Sequence, residues 1–207
     1  MEERGDARPP ITIEGNLVVL RPLRRDLLPT YHRWHNGVAT LRTYVLPLPT
    51  TLEQEEALYA ELTGASDKAI FTIYERLSWR AVGTTYLTDI DQRHRSAEFG
   101  VLIGEASCRG KGRGTQAASL MVDFTFTALG LHSVMSTVYA INLADRRAYE
   151  KAGFRKLVTG ARAIGWLANT GTRSSWIAWR RSSPVRCWAR SSCRMRHARE
   201  TGRGSEA

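Results

Sequence analysis

Three glycines at alternate positions, Gly110, Gly112 and Gly114, separate a strand-patterned run from a helix-patterned one. Before them, Phe99, Val101 and Ile103 alternate on one face of Ser96–Ile103, as a half-buried strand requires. After them, Ala118, Met121, Val122, Thr125 and Leu129 recur at helical spacing, and Gly130 supplies a stop. The glycines therefore sit at a strand-to-helix junction, where bare backbone amides and the positive end of a helix dipole point at one place. That arrangement suits a pyrophosphate, with Arg109, Lys111 and Arg113 adding charge at the rim and Thr115 opening the helix.

The spacing excludes two common phosphate loops. A dinucleotide fingerprint places its second and third glycines three apart. A Walker loop needs Gly-Lys-Ser/Thr, but Gly110-Lys111 is followed here by Gly112. A second segment downstream runs from Asn142 through Tyr149, Lys151 and Gly153 to Phe154. Together, Arg109-x-x-Gly112-x-Gly114 and the Asn…Tyr-x-Lys-x-Gly-Phe segment resemble the two cofactor motifs of the GNAT acyltransferases, in the order of that family. Leu17 to Leu23, followed by Trp34-His35-Asn36, resembles the ribosomal-protein-alanine (Rim-type) acetyltransferase branch.

The resemblance implies a mixed α/β fold: a twisted, mostly antiparallel sheet with splayed central strands and flanking helices. It implies acetyl-CoA as acetyl donor, with the pantetheine arm bonded along the open edge of the strand that holds Phe99, Val101 and Ile103. Val101 and Ile103 are the expected contacts, and the pyrophosphate is expected on the amides from Lys111 to Thr115, within the loop that runs from Arg109 through Gly110. Asn142 matches the residue that reaches the arm from the far side of the splay, and it also suits a helix N-cap. Tyr149 matches the family's general acid; a phenol whose ordinary pKa is about 10 stays protonated at neutral pH and can protonate a leaving thiolate. Glu98 is the leading candidate for general base, with His35 a weaker one. The implied reaction is direct transfer to a primary amine, with no covalent intermediate and no metal. The acceptor is a small-molecule or peptide amine: a protein N-terminus, an amino acid or an amine antibiotic.

The remaining elements follow from local pattern. Leu17–Arg21 is expected as a strand, and Asp26–Trp34 and Leu52–Leu62 as helices, the second capped by Thr51 or Thr50. Ala69–Glu75 and Ala81–Ile90 read as a hairpin, and Ser133–Val138 with Leu143–Ala152 as a closing strand and helix. Acidic Glu53, Glu55 and Glu56 read either as a solvated helix face or as an attraction for a cationic acceptor.

The chain of 207 residues is long enough for one sizeable core. The reading divides it into a flexible leader (1–15), an acetyltransferase domain (16–164) and a basic, disordered tail (165–207). Residues 1–154 carry 18 basic and 18 acidic side chains, whereas residues 155–207 carry 12 and 2, so the whole excess of +10 lies late in the chain. No membrane partner is expected, since no apolar run reaches the ~18 residues that a span needs. Three cysteines without metal spacing or an even disulfide set point to a reducing cytoplasm. The tail also concentrates tryptophan, and permitted codons for Trp166–Arg180 read in another frame give a segment similar to the family's closing strand. A shifted reading frame is therefore an expectation for the C-terminus. The alternatives are an impaired CoA-binding protein with a truncated fold, or a basic nucleic-acid-binding protein carried by the tail.

Overall fold

Strand pairing in a computed structural model, which describes residues 13–43, 48–160 and 173–179, runs through one eight-stranded sheet. In chain order the strands are β1 (Ile13–Glu14), β2 (Val18–Pro22), β3 (Ala69–Glu75), β4 (Ala81–Asp91), β5 (Ser96–Ile103), β6 (Ser133–Tyr139), β7 (Arg155–Gly160) and β8 (Arg173–Trp179). The helices are α1 (Leu28–His35), α2 (Val38–Leu41), α3 (Leu52–Gly64), α4 (Arg113–Thr127) and α5 (Leu143–Ala152). The spatial order is β1-β2-β3-β4-β5-β6-β8-β7. Among the described strands β5 and β6 form the single parallel pair. The expected mixed fold with an open, mostly antiparallel sheet is the one observed.

Helices cover both faces. On one, α4 and α5 bury Phe99, Met121, Val134 and Trp176 in the main core. On the other, α1 lays Leu28, Tyr31 and Trp34 against Leu102 and Ala81. Alternation along β5 produces this division, since Phe99, Val101 and Ile103 face one helix layer and Leu102 the other. Thr51 caps α3 through a reciprocal capping box with Gln54, the capping choice that the sequence narrowed to two residues. The Gln116 side chain on α4 accepts hydrogen bonds from the Leu17 and Val18 amides at 2.6 and 2.8 Å, tying α4 to the start of β2.

Two boundaries differ from expectation. Ile13 and Glu14, placed in the leader, pair with Leu20 and Val19, because the turn at Gly15 folds them back on β2. Residues 1–12 lie outside the described residues. At the other end the sheet runs past residue 164. β8 inserts between β6 and β7, with Trp176 only 1% exposed, so the folded unit extends at least to Trp179. The shifted-frame reading gains no support from this strand, which forms in the frame as given. The remainder of the expected tail, 165–172 and 180–207, lies outside the described residues.

Candidate active site

The site is created by a fork in the sheet. β5 and β6 pair only at Ser96↔Ser133, Ala97↔Val134 and Glu98↔Met135. From Ser136 onward β6 pairs with β8 instead. The Ser136 hydroxyl donates to the Phe99 carbonyl at 2.7 Å and closes the base of the fork. Phe99 thus directs its carbonyl toward the opening, and by alternation so do Val101 and Ile103. The two are not equivalent. The Ile103 carbonyl already accepts from Arg109 Nε at 2.8 Å, leaving Val101 as the strand position that presents both backbone groups to an extended ligand.

A cavity of about 460 Å³ follows this edge. It is lined by Val101, Ile103, the glycine loop, the start of α4 and one face of α5. Gly110 and Gly112 have φ of +71° and +79°, backbone that favours glycine. Gly112 is the N-cap of α4 and makes no side-chain cap, so the first-turn amides at Arg113, Gly114 and Thr115 meet no capping side chain. They are the anion-binding end of a long helix. The rim charges behave differently from one another. Lys111 is exposed. Arg109 folds back on the end of β5, while Arg113 is paired with Glu75, so its charge holds β3 to α4 rather than facing the cavity. Cys108 is buried beside Arg80, and Cys187 and Cys193 lie outside the described residues.

Across the cavity, Asn142 caps α5. Its carbonyl oxygen accepts from the Asp145 amide at 3.2 Å, and its amide nitrogen donates to the Asp145 carboxylate at 2.6 Å. Burial pushes the Asp145 carboxyl up to about 6, against the pull of Asn142 and of Arg109. Tyr149, one turn further along, is 3% exposed and lines neither cavity described here. Its ring stacks on Phe154 at 5.1 Å and tilts against Phe99 at 5.4 Å. Burial first, then the Asp145 and Glu98 charges, raise its phenol well above the usual range, while the hydroxyl of Ser136 at the fork acts in the opposite sense.

On the other face of β5 lies a second cavity of about 400 Å³, between α1, α3 and the β3–β5 strands. Leu58, Leu62 and Ile70 make it apolar, while Glu98, Glu55 and His35 make it polar at chosen points. Glu55 is 4% exposed and its carboxylate meets His35 Nδ1 at 2.9 Å, whereas Glu53 and Glu56 face outward. The acidic run is therefore split: one carboxylate enters the cavity and two remain on the solvated face. Tyr86 is a lining residue that sequence reasoning missed. Its only advance signal was its place on β4, opposite Gly100.

One cavity thus follows an opened strand edge, and a second, with acidic groups in its lining, lies on the opposite face of that strand. Residues 18–155 match the Acetyltransferase (GNAT) domain. The chain is 31% identical over 160 residues to Alpha/beta-tubulin-N-acetyltransferase 9 of Homo sapiens, covering 71% of this chain and 76% of that protein. It is 32% identical over 142 residues to Spermidine N(1)-acetyltransferase of Escherichia coli, covering 66% and 72%. A structure of the spermidine N-acetyltransferase from Vibrio cholerae, in complex with CoA and spermine, shares the fold with a TM-score of 0.72. It is 23% identical and spans 80% of this chain and 96% of that one. The chain belongs to the GNAT acetyltransferase family. It is an N-acetyltransferase that moves an acetyl group from acetyl-CoA to a primary amine. These relatives do not single out the ribosomal-protein-alanine branch. Among the described residues no helix is long and apolar enough to cross a membrane.

Proposed function

We propose that the acceptor is a small cationic primary amine with an apolar body, bound in the cavity that holds Glu55 and Glu98. The observation that carries this reading is the combination of apolar walls with carboxylates on the α3 and β5 sides. A cationic amine gains charge-assisted hydrogen bonds there, and its methylenes gain apolar burial. The names of two relatives, a spermidine and a tubulin acetyltransferase, span the acceptor range from a polyamine to a protein amine. A protein N-terminus of the ribosomal-protein-alanine type is the second acceptor class, suggested by the N-terminal segment of the sequence.

In this reading the arm of acetyl-CoA lies along Val101 and Ile103. Its pyrophosphate rests on the amides from Lys111 to Thr115, including those of Gly112, Arg113 and Gly114, with Arg109 and Gly110 shaping the loop. Glu98, which lines the acceptor cavity, accepts the proton of the incoming ammonium, directly or through water. The neutral nitrogen attacks the thioester carbon, the carbon–sulfur bond breaks, the thiolate takes a proton from Tyr149, and the second proton that the nitrogen sheds as the amide forms returns to the phenolate through water. The raised phenol pKa keeps Tyr149 protonated before the transfer. Tyr149 reaches toward the fork through Ser136, so the arm must enter the fork for the transfer to occur. A cytoplasmic setting accords with the uneven cysteine count.

The test compares acetyl transfer to spermidine, to a monoamine of equal length and to an Ala-initiated peptide. A kcat/KM highest for spermidine, and lost in Glu55→Gln, supports the reading. A preference for the peptide overturns it.

A further inference from the structure

Asn142 was expected to reach the cofactor, but both ends of its side-chain amide are engaged by Asp145. The Asp145 carboxylate lines the donor cavity beside Asn142. We propose that Asp145 is a positioning residue for the donor: its ionised carboxylate, held in place by Asn142, accepts a hydrogen bond from the pantetheine amide and sets the arm against the fork. This rests on the reading of the 460 Å³ cavity as the acetyl-CoA site.

In that reading the pyrophosphate sits on the amides that open α4, whereas Asp145 lines the cavity from α5, beside Asn142. A carboxylate offers acceptor sites only, and one hydrogen bond from Asn142 leaves the others unused. Of the charged groups around it, Arg109 from the glycine loop favours ionisation, and Arg147 and Lys151 of its own helix line the same cavity. Tyr149, also on that helix, is uncharged at neutral pH and carries no opposing charge. Burial opposes ionisation and brings the carboxyl to about 6, so its charge changes within the range in which the enzyme can be assayed. A protonated Asp145 cannot accept the arm amide while its proton points into the cavity.

Donor affinity should then fall as pH falls. With about one-tenth of the carboxyl groups ionised a unit below their pKa, apparent affinity drops about ten-fold, by the fraction of competent molecules. The experiment titrates the full-length chain and its Asp145→Asn variant with CoA, calorimetrically, at pH 7.5 and pH 5.0. The cofactor phosphates titrate equally in both, so the variant supplies the baseline. The proposal expects Asp145→Asn to bind about ten-fold more weakly than the parent at pH 7.5 and to match it at pH 5.0. Parallel pH dependence in the two proteins, or equal affinity at pH 7.5, overturns it. Failure of both to bind CoA at pH 7.5 overturns the cavity assignment beneath it. A merely structural Asp145 predicts no convergence of the two pH profiles at low pH.

Discussion

The ring of Tyr86 lies directly over Gly100: a Cβ at Gly100 would sit 2.1 Å from the ring carbon that bears the hydroxyl. Only a residue without a side chain lets a β4 aromatic cross β5 at this point, and the crossing brings a phenol into the lining of the Glu98–Glu55 cavity, on the Glu98 face of the strand. Gly100→Ala should therefore displace Tyr86, destabilising the protein by about 1–3 kcal/mol as overpacking does. The thermal melt should recover in the double variant Gly100→Ala/Tyr86→Ala. A single variant that melts like the parent would show that the ring moves without cost.

Tyr149→Phe keeps the stacking on Phe154 and Phe99 and removes only the hydroxyl. Its melting temperature should stay near that of the parent while kcat falls by about 10² to 10⁴. A variant with full kcat would assign Tyr149 to packing alone.

Glu98→Gln removes the proposed proton acceptor while keeping nearly the same side-chain volume. The kcat/KM at neutral pH should fall by about 10² or more. An unchanged kcat/KM would return the base role to His35, tested by His35→Gln.

Asp145 also makes a prediction about stability. Its folded-state pKa is raised to about 6 from an ordinary 3.8, so the folded protein binds a proton more readily there than the unfolded chain. That group contributes stability below pH 4 and loses the contribution as pH rises through 6. Asp145→Asn should consequently melt higher than the parent at pH 7.5, and the gap should close toward pH 4. A lower melt for the variant at pH 7.5 would contradict the buried, costly carboxylate.

Removing residues 165–207 tests the position of β8. β6 and β7 would both lose their shared partner, and the buried Trp176 would vanish from the core. No cooperative melt is expected from that truncation, whereas Trp176→Ala should cost about 3–5 kcal/mol and retain one. A truncated chain that melts like the parent would place the sheet's integrity elsewhere.

Strand and helix patterns that repeat with a clear period were legible in the sequence. Ser96–Ile103 and Leu143–Ala152 have the expected bounds, because alternation in one and the cap at Asn142 in the other are local signals. β7 and β8 were missed for a physical reason. Arg155–Gly160 and Arg173–Trp179 mix polar and apolar residues without clean alternation, and their strand character comes from the pairing with β6 and with each other. The donor loop was readable since its glycines are required by positive φ at Gly110 and Gly112. Side-chain commitments were not. Nothing near Arg113 announces Glu75, and nothing in the Glu53–Glu56 run announces that Glu55 alone turns inward to His35.

The order β6-β8-β7 has a consequence for synthesis. β7 is made before β8 yet sits outside it, so it has no neighbour until β8 has emerged and threaded between β7 and β6. During translation the nascent sheet ends at β6, with an unpaired border that invites wrong contacts. The fork proposed for the cofactor arm is defined on one side by β6, and β6 is held there by β8. The fork is therefore completed only once β8 has been made, and a chain that stops before Arg173 would have the glycine loop made and the fork unbraced.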